Sequence, residues 1–243
     1  MRPPKVLTTA VARRFLSRFV PSAQMLPFMC WLKGIDGSCE AEVLHLSELS
    51  RSSGTAVDVG ANMGWYTYPM SRLFERVYAF EINDELTGWI RDYNPGNIEI
   101  IHCGLSSTVG TARFYVPVMN GRALPGWGSL DPGNLAEATE RREKDVKVAR
   151  LDDFGIEGVG FVKIDVEGHE VEVLKGATVT IGSSRPIVLI EVRDWNLPTV
   201  EAWFRDLGYE RRSLSDLSPA TASPGNYIYI PGERLPAFEM KRT

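Results

Sequence analysis

The chain has little cysteine: Cys30, Cys39 and Cys103 are the three thiols in 243 residues. An odd number without CxxC or other metal-ligand spacing argues against both a disulfide framework and a zinc site. Reduced thiols and a cytoplasmic location are expected. No uninterrupted apolar run approaches the ~20 residues that a membrane-spanning helix requires, and the first residues lack the apolar stretch of a secretory signal. A formal net charge of -4 leaves no basic excess for phosphate backbones, so no nucleic-acid partner is expected. A G-x-G-x-x-G turn is missing as well: Ala61 and Asn62 follow Gly60, and only Gly64 returns. That weakens a dinucleotide site, whose pyrophosphate needs the glycine-rich turn at a helix N-terminus.

At 44% hydrophobic and 24% charged residues, the chain fits one α/β domain. An N-terminal helical extension is expected over 1–53 and the main domain over 54–243. Residues 1–20 hold Arg2, Lys5, Arg13, Arg14 and Arg18 without an acid, and Val6, Leu7, Ala10, Val11, Phe15 and Phe19 recur near helical spacing. This describes a basic amphipathic helix that packs on the domain or a partner; peripheral membrane contact is the alternative. Pro21 and Pro27 interrupt the pattern before a second helical stretch over 40–49.

From Thr55 onward, apolar runs at 56–59, 77–80, 98–101, 161–164 and 187–190 alternate with helical segments. Such alternation predicts βα units and a mostly parallel central sheet with helices on both faces. Ligands of such sheets bind beyond the carboxyl ends of the strands. The acids Asp58, Glu81, Asp165 and Glu191 all fall at those ends, so four strands are expected to deliver carboxylates to one crevice.

Short additional strands are predicted at 111–116 and 146–149. Between them lies a segment rich in glycine, proline and charge that carries Trp127 and Leu130. Long loops of this composition in compact domains act as lids or are disordered, and a lid-like insertion is expected near 118–145. A helix over 200–207 and a strand over 227–230 follow.

The loop Val57, Asp58, Val59, Gly60, Ala61, Asn62, Met63, Gly64 resembles the S-adenosylmethionine loop of class I methyltransferases. The block Phe161, Val162, Lys163, Ile164, Asp165, Val166, Glu167, Gly168, His169, Glu170 is similar to the signature of the FkbM family within that class. The Glu81 strand, Leu151-Asp152-Asp153 and the strand ending at Glu191 fall in the family's order, so the resemblance spans about 55–192.

The resemblance implies a Rossmann-like class I methyltransferase fold with S-adenosyl-L-methionine as cofactor. Gly60 and Gly64 would let the backbone approach its methionine portion, with Asn62 between them in the cofactor set and Asp58 taking the ammonium directly or through water. Glu81 would accept both ribose hydroxyls, since a carboxylate offers two acceptor oxygens. Ser106 would border the adenine, and Asp165 would close the cofactor set. Asp165, Glu167, His169 and Glu191 are candidates to orient the acceptor or take its proton, with Asp165, His169 and Glu191 carrying the catalytic assignment. Histidine's ordinary pKa near 6.5 suits that task. A divalent metal held by Asp165 and Glu191 is an alternative that is not favoured. Lys163 needs a partner inside its apolar strand, with Glu170 a candidate.

The expected reaction is O-methylation of a hydroxyl on a sugar, glycan or secondary metabolite. N-methylation of a small molecule remains an alternative, as does a catalytically silent cofactor-binding protein acting through its basic N-terminal helix. The acceptor and the oligomeric state stay open.

Overall fold

The computed structural model describes residues 19–49, 54–135, 140–214 and 223–235. Residues 1–18, most of the predicted basic helix, lie outside this set. Helices α1 (Ser22–Asp36), α2 (Ala41–Leu44) and α3 (Leu46–Leu49) come first; α1 ends at Gly37, which adopts φ +72°. The predicted helical stretch over 40–49 is thus two short helices meeting at His45.

The apolar runs form β1 (Thr55–Val59), β2 (Arg76–Phe80) and β3 (Ile98–Ile101), with α4 (Thr67–Leu73) and α5 (Gly88–Tyr93) between them. A side unit of β4 (Gly104–Leu105), β5 (Gly110–Met119), β6 (Arg122–Ala123) and β7 (Glu140–Ala149) follows. The chain returns to the main sheet through β8 (Val159–Ile164), α6 (Glu170–Lys175), α7 (Thr178–Ser184) and β9 (Ile187–Glu191). It finishes with α8 (Leu197–Asp206), β10 (Tyr209–Arg212) and β11 (Asn226–Pro231).

The main sheet has the order β10-β11-β9-β8-β1-β2-β3. Strands β9, β8, β1, β2 and β3 run parallel, and β11 is antiparallel to both of its neighbours. One face packs Val57, Val162, Val188, Ile181 and Phe204; the other packs Ala56, Phe161, Leu189, Met70 and Ile90. All six residues of β8 are buried, as expected for a strand covered on both faces. The helices ahead of β1 belong to the second face, where Leu26, Leu46 and Leu49 are at most 1% exposed.

The segment between 116 and 146 differs from the predicted loop. Strands β5 and β7 pair antiparallel from Gly110↔Val148 to Val118↔Glu140, as one long ribbon. Phe114, Val116 and Val118 alternate onto its buried face, while Arg113 pairs across the ladder with Glu143 and Asp145. A charged run is compatible with a strand when opposite charges face each other across it. The irregular part shrinks to the connection around Pro125–Trp127 and Pro132–Leu135.

Candidate active site

Strand β1 ends at a turn that only glycine can make. Gly60 has φ +80°, and a Cβ there would lie 1.9 Å from the Asp165 carbonyl oxygen. The Asp165 N–H donates to Val59 O at 2.9 Å, so the ends of β1 and β8 touch at this point. The Gly60 and Ala61 N–H groups both donate to Phe80 O, tying the turn to the end of β2. Asn62, at φ +52°, then donates its N–H to Glu81 Oε2 at 2.7 Å, and Asn83 N–H donates to Glu81 Oε1 at 2.7 Å. Both oxygens keep further lone-pair capacity. Burial raises the pKa of this carboxyl, against the pull of those N–H donors.

Beyond these strand ends lies a cleft of about 620 Å³, part of it open to solvent. Ile82, Leu86, Cys103, Leu105, Phe114 and Leu130 make its apolar wall, and Glu81, Asp165, Glu167 and His169 make its polar side. The connection after β6 contributes Pro125, Gly126, Gly128 and Ser129. It is fastened by Asn62 Nδ2 donating to Gly126 O at 3.3 Å and by the Ser129 hydroxyl donating to Glu167 O. Gly128 has no room for a side chain, since a Cβ would sit 2.2 Å from Phe114 Cζ. Trp127 is exposed and lies outside the lining.

Of the predicted residues, Gly60, Asn62, Glu81, Asp165, Glu167 and His169 line this cleft, whereas Asp58, Gly64, Ser106 and Glu191 do not. Asp58 is 1% exposed and accepts the Thr67 hydroxyl at 2.6 Å. Burial pushes its carboxyl up to about 7. Gly64 serves packing: a Cβ would come within 2.7 Å of Ile90 Cγ1 and 2.9 Å of Leu26 Cδ2, so its bareness admits two helices. Ser106 stands behind the wall and shares a 3.0 Å hydrogen bond with His169 Nε2. Burial lowers the His169 pKa, with the Glu172 and Asp131 charges opposing, which leaves the ring neutral at neutral pH.

Four carboxyl-bearing strand ends therefore converge, but only those of β2 and β8 face the cleft. Glu191 lies outside the lining, its carboxyl pushed up to about 7 by burial and then by the Asp165 charge. Arg193, two residues beyond, binds Glu167, which Asn134 also approaches. Sequence reasoning missed Arg193, although its i+2 spacing from Glu191 at a strand end was a usable signal.

Lys163 does not pair with Glu170. Glu170 accepts Gly168 N–H and Asn196 Nδ2, each at 2.7 Å, while Lys163 Nζ lies 3.9 Å from Asp165 Oδ2. The reason is strand geometry: residues two apart share a face. Among the described residues, no group of three or more histidine, cysteine, aspartate or glutamate side chains could hold a metal ion, and no helix is long and apolar enough to cross a membrane.

The chain is similar to known methyltransferases. The methyltransferase FkbM domain matches residues 58–211. Methyltransferase sdnD of Sordaria araneosa is 29% identical over 63% of this chain and 73% of its own length. Hexuronic acid methyltransferase AglP of Haloferax volcanii is 31% identical over 63% of this chain and 62% of its own. Among solved structures, methyltransferase FkbM from Methylobacillus flagellatus KT aligns with TM-score 0.50 at 17% identity, over 92% of this chain and 59% of that one. That likeness concerns the fold alone. With well over half of the chain matched by the family's domain, the protein belongs to the FkbM methyltransferase family.

Proposed function

We propose that the chain transfers a methyl group from S-adenosylmethionine to a hydroxyl of a sugar, glycan or secondary metabolite. Family membership implies that methyl donor, and the residues of the cleft fit it. The observation that carries the reading is Glu81: a carboxylate fixed by two backbone N–H groups at the cleft floor, with lone pairs left for a vicinal diol. The apolar wall beyond it suits a flat base, with Ser106 hydrogen-bonded to His169 beside it. Gly60 and Asn62 would border the methionine portion, and Asp165 would face the acceptor. Asp58 and Gly64 shape the loop from behind, Asp58 through Thr67 and Gly64 through helix packing. The connection carrying Pro125 to Leu130 acts as the lid over this cofactor.

When bound, the cofactor supplies a methyl group on a sulfonium, already a good leaving group. The protein's work is to align the acceptor oxygen and receive its proton. His169 Nε2 is engaged by Ser106, so proton removal falls to Asp165 and Glu191 acting together. Asp165 faces the cleft, and Glu191, which feels the Asp165 charge, has a carboxyl poised near neutrality. Glu167, held by Arg193, fixes the acceptor side. Similarity to the Haloferax volcanii relative, a hexuronic acid methyltransferase, supports a sugar acceptor.

The test is a labelled-methyl screen against sugar, lipid-linked glycan and small-metabolite pools, with mass spectrometry of each product. A methylated hydroxyl supports the reading. A methylated amine replaces it with N-methylation, and cofactor binding without transfer to any pool replaces it with a silent binder.

A further inference from the structure

Lys163 places an ammonium inside a strand whose every residue is buried; it is itself 1% exposed. A charge taken out of water at this depth must be met by acceptors or opposite charge. Its Nζ lies 3.9 Å from Asp165 Oδ2, 3.4 Å from Ile164 O and 3.5 Å from Asn226 Oδ1, and 5.0 Å from the Tyr66 ring centroid. Asp58 is its register partner on β1.

A second layer holds this cage. Glu40, ahead of α2, accepts the Tyr66 hydroxyl at 2.6 Å and Asn226 Nδ2 at 3.2 Å through the same oxygen, Oε2. Because a carboxylate only accepts, it turns the Asn226 amide nitrogen toward itself and leaves Oδ1 for the ammonium. Glu42, fully buried, accepts the Ser223 N–H at 2.7 Å and the Ser223 hydroxyl at 2.8 Å, pinning the turn that leads into Asn226. Glu40, Glu42, Ser223 and Asn226 all lie outside the matched residues 58–211.

We propose that Lys163 is the positioning residue that aims the Asp165 carboxylate into the cleft, and that Glu40 and Asn226, from outside the matched domain, fix Lys163 in turn. The helical segment ahead of β1 is then part of the transfer machinery as well as a cover for the sheet. This rests on the reading of Asp165 as the acceptor-facing carboxylate.

Crystal structures of the wild type and of Lys163→Met, which keeps a stem of similar length, read the Asp165 carboxylate position directly. The proposal expects that carboxylate to leave its wild-type place. It also expects S-adenosylmethionine affinity within about threefold of wild type and kcat at least about tenfold lower, with acceptor KM little changed. Combining Lys163→Met with Asp165→Asn should add little to the loss in kcat from Asp165→Asn alone, because the two act as one unit. Should Lys163→Met fail to fold, Glu40→Gln is read the same way, with a loss in kcat of about threefold at unchanged cofactor affinity. An unmoved Asp165 with unchanged kcat overturns the proposal, as do losses in cofactor affinity and kcat that run in parallel. Failure of the wild type to bind S-adenosylmethionine sinks the functional reading instead, and the crystallographic position of Asp165 still decides the positioning claim.

Discussion

Glu191 carries a pH signature that bears on the transfer step. Its carboxyl is pushed up to about 7 by burial and by the Asp165 charge. Proton acceptance needs the deprotonated form, so the rate of transfer should rise with pH through about 7 in wild-type protein. Glu191→Gln should lower kcat by about tenfold or more and remove that limb. A limb that survives in the variant assigns it to another group.

Asp58 gives a separate prediction in folding stability. Its folded pKa, about 7, stands above its ordinary 3.8. The stabilising contribution is therefore complete below pH 3.8 and lost as pH rises through about 7. Asp58→Asn keeps an oxygen for the Thr67 hydroxyl. The melting temperatures of wild type and variant should therefore move toward the variant's favour between pH 5 and pH 8, as about a few kcal/mol of charge burial appears in wild type alone. A constant difference across that range would show that Asp58 does not titrate there. Both acids were legible in the sequence from their place after apolar runs. Thr67, Arg193, Asn134 and the Asn226–Glu40 contact were not, because each depends on how distant segments pack.

Among the elements, the β5–β7 ribbon and its connection matter most to the site. Gly128 presses its backbone against the Phe114 ring, where a Cβ would be 2.2 Å from Cζ. Gly128→Ala should displace Phe114 or the connection, costing about 1–3 kcal/mol of stability and weakening cofactor affinity. Unchanged cofactor affinity would show that the connection does not close the cleft. The parallel strands could be read from the sequence because burial on both faces leaves uninterrupted apolar runs. The full length of β7 could not, since its exposed face is satisfied by cross-strand charges that look like loop composition. Strand β10, Tyr209–Arg212, escaped for a related reason: it sits at the sheet edge and carries Glu210, Arg211 and Arg212, and charged residues are usual on edge strands.

On the scale of the whole molecule, the segment ahead of β1 and the terminal strand β11 complete one face of the sheet. Leu26, Leu46 and Leu49 are buried there beside Phe161, Leu189 and Ile228. A chain starting at residue 54 would uncover that face, losing about 1.5–3 kcal/mol of burial for each of these leucines. Such a chain should be aggregation-prone or melt well below the intact protein; an equal melting temperature would show that the helices are dispensable to folding.

Calorimetric titration of S-adenosylmethionine into the intact protein and into Glu81→Ala tests most directly whether this whole arrangement is a methyl-donor site. Wild type should bind S-adenosylmethionine at one site and show no comparable affinity for NAD. Glu81→Ala should bind it at least about tenfold more weakly, as the loss of a charged acceptor costs about 1.5–3 kcal/mol. Equal affinity in the variant, or preference of the wild type for NAD, would contradict the assignment of the cleft.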